Sequence, residues 1–397
     1  MKKLFLNIAI LLLPFALLSQ NINLDLDYYK TLSYLHKNSL DSALLNMNKS
    51  KPSNHNNLLK ANILYKSGDF NNAIIILKNL NSDFPKETSL LLARIYANMS
   101  FADESCFWLN EYFKNKNPIY YSQLLNYQEF EQINKTVEWR EFWNKNPYSK
   151  KYEKLAEAEY LLKQEDYYSA IDILNSENFA SYEYKKQFLL AKSYFNLKDY
   201  KIANNYLNNS LKSKPKFIEA IELKYEINFI ENNYSETYKQ ALLLLSLSPE
   251  NPENLKKYSQ ACFYTNKLSE AIYYINIYCE IYPENLEALF LKTQIYVADN
   301  DFKKALPILN RLVNLSPGEK DFFILRADIY FKLESWKFAR EDYSMALDIE
   351  PILPEVLFKT GNCWQNMGFN KKACIYWQKA ADKKHRQATK NIYKYCK

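Results

Sequence analysis

The sequence predicts an all-α protein, a row of stacked helix-turn-helix units closed by a capping helix. Three observations predict it: prolines recurring at one interval, apolar residues at helical spacing between them, and a near absence of glycine. Pro215, Pro249, Pro283, Pro317 and Pro351 are each separated by 34 residues in a chain with only 13 prolines. A fixed interval of this size marks a repeat architecture. Ala271, Ala305, Ala339 and Ala373 keep the same step, which reaches back through Thr237 to Ala203. A third series runs from Tyr194 past Asn228 and Cys262 to Tyr296, Tyr330 and Trp364. Three series in one register do not arise from composition.

Within a unit the pattern is helical. Leu325, Ile329, Tyr330 and Leu333 recur at spacings of three and four, and after a break Phe338, Ala339, Tyr343, Ala346 and Leu347 do the same. Two amphipathic helices make one unit, and proline closes it because it cannot continue a helix. The chain has 4 glycines among 397 residues, where average usage would give roughly 28. Hairpin turns, phosphate-cradling loops and nucleophile elbows draw on glycine for positive φ, so a sheet protein or a nucleotide-binding α/β enzyme is disfavoured. Gly68 and Gly368 fall at turns between helices, and Gly318 follows Pro317. Small residues fill one slot on the first helix (Ala191, Ala327, Gly361) and one on the second (Ala203, Ala271, Ala305, Ala339, Ala373). Antiparallel helices approach most closely where both present small side chains.

This pattern resembles the tetratricopeptide repeat, with a small residue and an aromatic on the first helix, alanines on the second and a closing proline. The unit from Lys320 to Pro351 shows it best, through Ala327, Tyr330, Trp336, Ala339, Tyr343 and Ala346. Units in strict step start near Tyr184, Ile218, Pro252, Leu286, Lys320 and Pro354, with others near Leu24, Asn54, Lys86 and Lys151. Tyr225 fills a slot that should be small, and Thr237 replaces an alanine. The resemblance implies a right-handed α-solenoid. The expected organisation is a leader at 1–19, repeats at 20–118, an aromatic-rich insert at 119–150, repeats at 151–383 and a capping helix at 384–397. The insert has no register; Trp139, Phe142 and Trp143 place a short amphipathic helix there, either filling a join between repeat blocks or forming a docking knob.

The leader has the anatomy of an export signal: Lys2 and Lys3, an apolar run from Leu4 to Leu18, and Ser19 before Gln20. Cleavage at Ser19–Gln20 is expected, with an uncleaved anchor as the alternative. After cleavage no membrane span is expected. Scarce glycine and alanine beside abundant Lys, Asn, Ile and Tyr suit an AT-rich bacterial genome, which makes the periplasm or the cell surface the expected location. The net charge is +7; acids and bases read as interleaved, a solvated surface rather than a nucleic-acid patch.

No chemistry is legible. His36, His55 and His385 have no partner at metal-ligand spacing, and no phosphate loop or nucleophile motif occurs. Neither a metal nor a cofactor is expected, and the chain is not expected to be an enzyme. Acids such as Glu165–Asp166 and Asp299/Asp301 lie at inter-helix turns, where a carboxylate is a good cap. Cys374 begins the second helix of the last unit and Cys396 ends the capping helix, so antiparallel packing would bring them together. Cys363 is a rival partner, and unpaired cysteines remain open.

In the family resembled, the first helices line the concave face of a superhelix. The stripe opposite the second helix then carries Phe188, Lys192 and Phe195; Glu222, Glu226 and Phe229; Lys256, Gln260 and Phe263. It continues with Phe290, Gln294 and Val297; Ile324, Asp328 and Phe331; Phe358, Asn362 and Gln365. Aromatic anchors among adaptable polar groups suit an extended peptide or a helix, unless the aromatics pack between neighbouring first helices. The stripe lacks the lysine–asparagine set with which some family members hold acidic tails. The expected function is a protein-binding scaffold or adaptor of the bacterial envelope; the alternative is an accessory subunit of an envelope enzyme.

Overall fold

The computed structural model describes residues 25–50, 53–114, 124, 126–145, 148–176 and 178–396. The expected leader and its cleavage site lie outside these. Among the described residues there are 22 α-helices, two short 3-10 segments and no strand. The chain forms two compact units, one up to Asn254 and one from Leu255 to Lys397. The insert at 119–150 falls inside the first.

In the first unit the helices are α1 (Leu26–His36), α2 (Leu40–Met47), α3 (Asn54–Lys66), α4 (Phe70–Leu80), α5 (Pro85–Asn98) and α6 (Ala102–Phe113). After a 3-10 turn at Gln128–Gln132 come α7 (Val137–Asn144), α8 (Lys150–Lys163) and α9 (Tyr167–Ser176). Then follow α10 (Glu183–Asn196), α11 (Tyr200–Ser213), α12 (Ile218–Ile230) and α13 (Tyr234–Leu247). Helix α14 (Pro252–Tyr264) leads into the second unit, with α15 (Leu268–Ile281), α16 (Leu286–Ala298), α17 (Phe302–Leu315), α18 (Lys320–Lys332) and α19 (Trp336–Ile349). Helices α20 (Pro354–Asn366), α21 (Asn370–Asp382) and α22 (Arg386–Tyr395) complete it. First helices begin at 183, 218, 252, 286, 320 and 354, within one residue of the positions read from the 34-residue step. Pro215, Pro249, Pro283, Pro317 and Pro351 lie in the turns between repeats.

The small-residue slots are fully buried: Ala191, Ala203, Ala271, Ala305, Ala327, Ala339 and Ala373 expose nothing to solvent. Their closeness shows in hydrogen bonds between helices, since Ser259 Oγ reaches the carbonyl of Ala271 at 2.7 Å and Ser105 Oγ that of Ala93 at 2.9 Å. Gly361 is the extreme case. A Cβ there would lie 2.5 Å from Trp377 Cδ1 and 3.2 Å from the Ala373 carbonyl, because the fully buried indole of Trp377 rests on the bare backbone. Its Nε1 donates to Asn362 Oδ1 at 3.0 Å. The two irregular slots adapt locally. Thr237 is buried with its hydroxyl bonded to the Asn233 carbonyl at 2.9 Å, and the buried Tyr225 ring stacks on Phe229 at 6.2 Å.

The turns inside repeats show how the chain manages without glycine. Lys198, Asn232, Asn266, Asn300, Glu334 and Gly368, at 34-residue intervals, all take positive φ, between 57° and 86°. The next amide closes a six-residue ring onto the first helix: Asp199 N to Tyr194 O at 2.9 Å, Asp301 N to Tyr296 O at 2.8 Å, Phe369 N to Trp364 O at 2.9 Å. This is the Schellman geometry, and its acceptors are members of the third sequence series. Aspartates then start second helices, Asp166 and Asp301 accepting from Ser169 N and Lys304 N at 3.2 Å each.

The insert packs on α5 and α6. Leu124, Phe130, Ile133, Trp139 and Phe142 bury against Ala93, Ala97, Cys106 and Leu109. A partly buried ion pair fastens it, Arg94 Nη2 to Glu129 Oε1 at 2.7 Å, with the guanidinium 4.2 Å from the Tyr127 ring centre. Tyr65 OH also donates to Glu129. Burial alone would raise the Glu129 carboxyl, but the bonds from Tyr65 and Arg94 outweigh it and hold it below the usual range.

Helix α22 lies on α21. Ala388 is buried, His385 Nδ1 caps the helix through Ala388 N at 3.2 Å, and His385 Nε2 meets Glu355 at 2.9 Å. A disulfide joins Cys374 to Cys396. The other four cysteines are buried and free. Burial pushes the thiols of Cys106 and Cys279 up to about 11 and that of Cys363 up to about 12, which leaves little thiolate for reaction.

Three outcomes follow for thermal or denaturant unfolding. Ala339→Leu overpacks the helix contact and destabilises by about 1–3 kcal/mol, with Gly361→Ala behaving alike because of Trp377; a neutral result for both contradicts the packing. Glu334→Gly removes a side chain from left-handed backbone and stabilises by about 1 kcal/mol; a loss of stability would show that the turn is unstrained. Reducing the disulfide, or Cys396→Ser, lowers stability by about 3 kcal/mol through the loop of 22 residues it closes, and hydrogen exchange should localise the loosening to α22.

Candidate peptide-binding face of the first helices

The predicted stripe places one residue in each repeat near the start, the middle and the end of the first helix. At the starts, Phe188 meets Phe217 with ring centres 5.2 Å apart, Phe290 meets Phe322 at 5.1 Å, and Phe358 stacks on His385 at 4.5 Å. In each pair the second ring belongs to the beginning of the following first helix or its cap. At the ends, Phe195 lies 5.7 Å from Tyr200, Phe229 6.0 Å from Tyr234 and Phe331 4.8 Å from Trp336. Here the partner opens the second helix of the same repeat. Phe263 packs edge-on to Tyr264 at 5.1 Å. Apart from Phe263, whose partner is on its own helix, the aromatics are therefore half-buried seams between helices.

The middle positions fall 34 residues apart and divide in two. Lys192 and Glu226, in the first unit, are exposed; Gln260 and Gln294, in the second, are half-exposed. Asp328 and Asn362 are committed to the fold. Asp328 accepts from Tyr343 OH and lies 2.8 Å from Lys359 Nζ. Asn362 Oδ1 accepts from Trp377 Nε1 and, at 3.3 Å, from Asn391 Nδ2. Charges on successive first helices also meet, as in Lys256–Glu287 at 3.1 Å.

Two features escaped sequence reasoning. Arg326 of α18 forms a two-pronged pair with the buried Asp342 of α19, both contacts at 2.7 Å, and reaches Asn310 of α17 at 2.9 Å. Its 16-residue separation carries no local signal. A polar pocket of about 420 Å³ opens beside the Arg94–Glu129 pair, walled by Asn98, Asn126, Gln128 and Gln132. It depends on an insert outside the repeat register. Among the described residues no group of His, Cys, Asp or Glu is arranged to hold a metal, and no helix is long and apolar enough to cross a membrane.

The sequence profile of the family described as "Anaphase-promoting complex, cyclosome, subunit 3" matches residues 254–344. No curated protein matches in sequence. Among solved structures, a tetratricopeptide repeat protein from Parabacteroides merdae is 16% identical, covering 59% of this chain and 93% of its own, with a TM-score of 0.48. PilW, a type IV pilus biogenesis factor, is 19% identical over 55% of this chain and 100% of its own, TM-score 0.48. YrrB is 17% identical over 48% and 95%, TM-score 0.39. Helix pairs at a 34-residue step, small-residue slots and closing prolines agree with the profile match, and the chain has the all-α helix-pair repeat architecture of the tetratricopeptide type.

Proposed function

We propose that the chain is a non-catalytic scaffold or adaptor of the bacterial envelope that binds segments of other proteins along its first-helix faces. The observation that supports this reading is the pattern of middle positions within each unit. Lys192 and Glu226 in one unit, Gln260 and Gln294 in the other, stand at equivalent places beside half-exposed phenylalanine edges. Carboxamides both donate and accept, so they can follow the main chain of an extended peptide or the polar flank of a helix. The aromatic edges supply apolar anchors at little entropic cost, because their rings are already fixed in seams. The apolar leader behind Lys2 and Lys3 supports export, and the disulfide supports an oxidising compartment.

Photo-crosslinking residues placed at Glu226 or at Gln294 should each capture a protein, while the same reporter at Lys201 or Lys303 on second helices of the same units should not. With the captured partner purified, Glu226→Arg and Gln294→Arg should each weaken binding at their own unit about tenfold, or about 1.4 kcal/mol. Equal capture from second-helix positions, or affinities untouched by both substitutions, would remove the first-helix face from the reading.

A further inference from the structure

Acids and bases alternate along most of the chain, but the last two helices break the pattern. Residues 370–397 hold nine of the 52 Lys and Arg residues and one of the 45 acids, so this segment carries +8 and the remainder −1. Helix α21 presents Lys371, Lys372 and Lys379, and the turn after it Lys383 and Lys384. Helix α22 presents Arg386, Lys390 and Lys394. All eight are exposed, and among the described residues none has a carboxylate partner. The single acid, Asp382, accepts instead from Gln378 Nε2 at 2.8 Å. Elsewhere in the same unit cations do pair, as in Arg326–Asp342 and Lys359–Asp328.

The surface is fixed in shape. The disulfide, the His385–Glu355 contact and the Asn391–Asn362 bond hold α22 on its neighbours, so its outer face is settled before any ligand arrives. Arg386, Lys390, Tyr393 and Lys394 share that face at spacings of four and three. Tyr393 is 82% exposed and lies among these cations. On α21, Ile375 is 55% exposed between Lys372 and Lys379. Lys372 and Lys394 rest on the Trp364 and Tyr395 rings at 4.2 and 4.7 Å, but eight cations without carboxylate partners still repel one another, and a polyanion relieves that repulsion. Lysine and arginine beside a projecting tyrosine is the composition that settles at a phospholipid headgroup layer. The disulfide within this same segment favours an oxidising compartment, where membrane phosphates rather than nucleic acid are the standing polyanion.

We infer that α21 and α22 form a docking surface for an anionic phospholipid membrane, with the basic side chains on headgroup phosphates and Tyr393 at the interface. This stands apart from the first-helix reading, since no residue is shared. The test is vesicle flotation of the purified, oxidised chain. It should bind vesicles of phosphatidylglycerol and phosphatidylcholine in equal parts, bind phosphatidylcholine alone far more weakly, and release as salt rises. The combined variant Arg386→Glu, Lys390→Glu, Lys394→Glu touches only exposed positions, and an unchanged melt would verify its fold. Each lost cation should weaken binding about fivefold, equivalent to about 1 kcal/mol, and the added carboxylates are repelled as well, so the variant should lose at least on the order of 100-fold. Tyr393→Ala should weaken it a few-fold without changing the salt response. Equal binding to both vesicle types, or full binding by the charge-reversed variant, overturns the proposal. Tighter binding to duplex DNA than to the anionic vesicles at the same salt, with the same variant dependence, would assign the surface to nucleic acid and overturn it equally.

Discussion

The close approach of two antiparallel helices at a residue with little or no side chain governs the rest of this structure. Where Ala271 or Ala93 sits at zero exposure, the facing helix comes near enough for a serine hydroxyl to reach the alanine carbonyl across the helices. Interiors pack at crystal-like density, so each close point sets where the flanking large side chains must go. Gly361 and Trp377 carry this furthest: the slot loses even its methyl group, and the chain's largest fully buried side chain takes the space. A single hairpin buries only one side of its helices, so each leaves an apolar face that the next repeat must cover.

The same economy appears in the turns. A left-handed residue is needed between the two helices so that the last amides and carbonyls of the first helix are satisfied. Most repeats meet the need with asparagine, lysine or glutamate rather than glycine. The six-residue rings hold this backbone in place, and at Glu165, Lys198 and Asn300 an aspartate cap on the next helix fixes the turn from the other end as well. The requirement lies in the geometry, and the residue that meets it varies.

The candidate binding face shows how architecture and recognition share side chains. Phenylalanines that could serve as free anchors are spent in part as seams between successive helices, and Asp328 and Asn362 among the middle polar positions bond to neighbouring helices. What remains outward is a sparse set of amides and charges with aromatic edges beside them. Ion pairs between neighbouring first helices, such as Lys256 with Glu287, keep that face near neutral. The strong positive charge lies elsewhere, on α21 and α22.

The repeat, its register, the starts of the helices, the small slots and the proline stops were all legible in the sequence. Each is a local consequence of residue type at a fixed spacing, and thirty-four-residue repetition multiplied a weak signal. The concentration of charge near Lys390 was equally present in the sequence, but only the structure shows that it lies on two neighbouring helices with every cation outward. Tertiary structure alone decided which aromatics become seams, which of Asp328 and Gln294 stays outward, and how Arg94 and Arg326 find carboxylates 35 and 16 residues away. It also decided the burial of the insert around Phe130 and Trp139, which follows no period. Those outcomes depend on which elements lie side by side, and adjacency is a property of the packed chain that spacing along one helix does not encode.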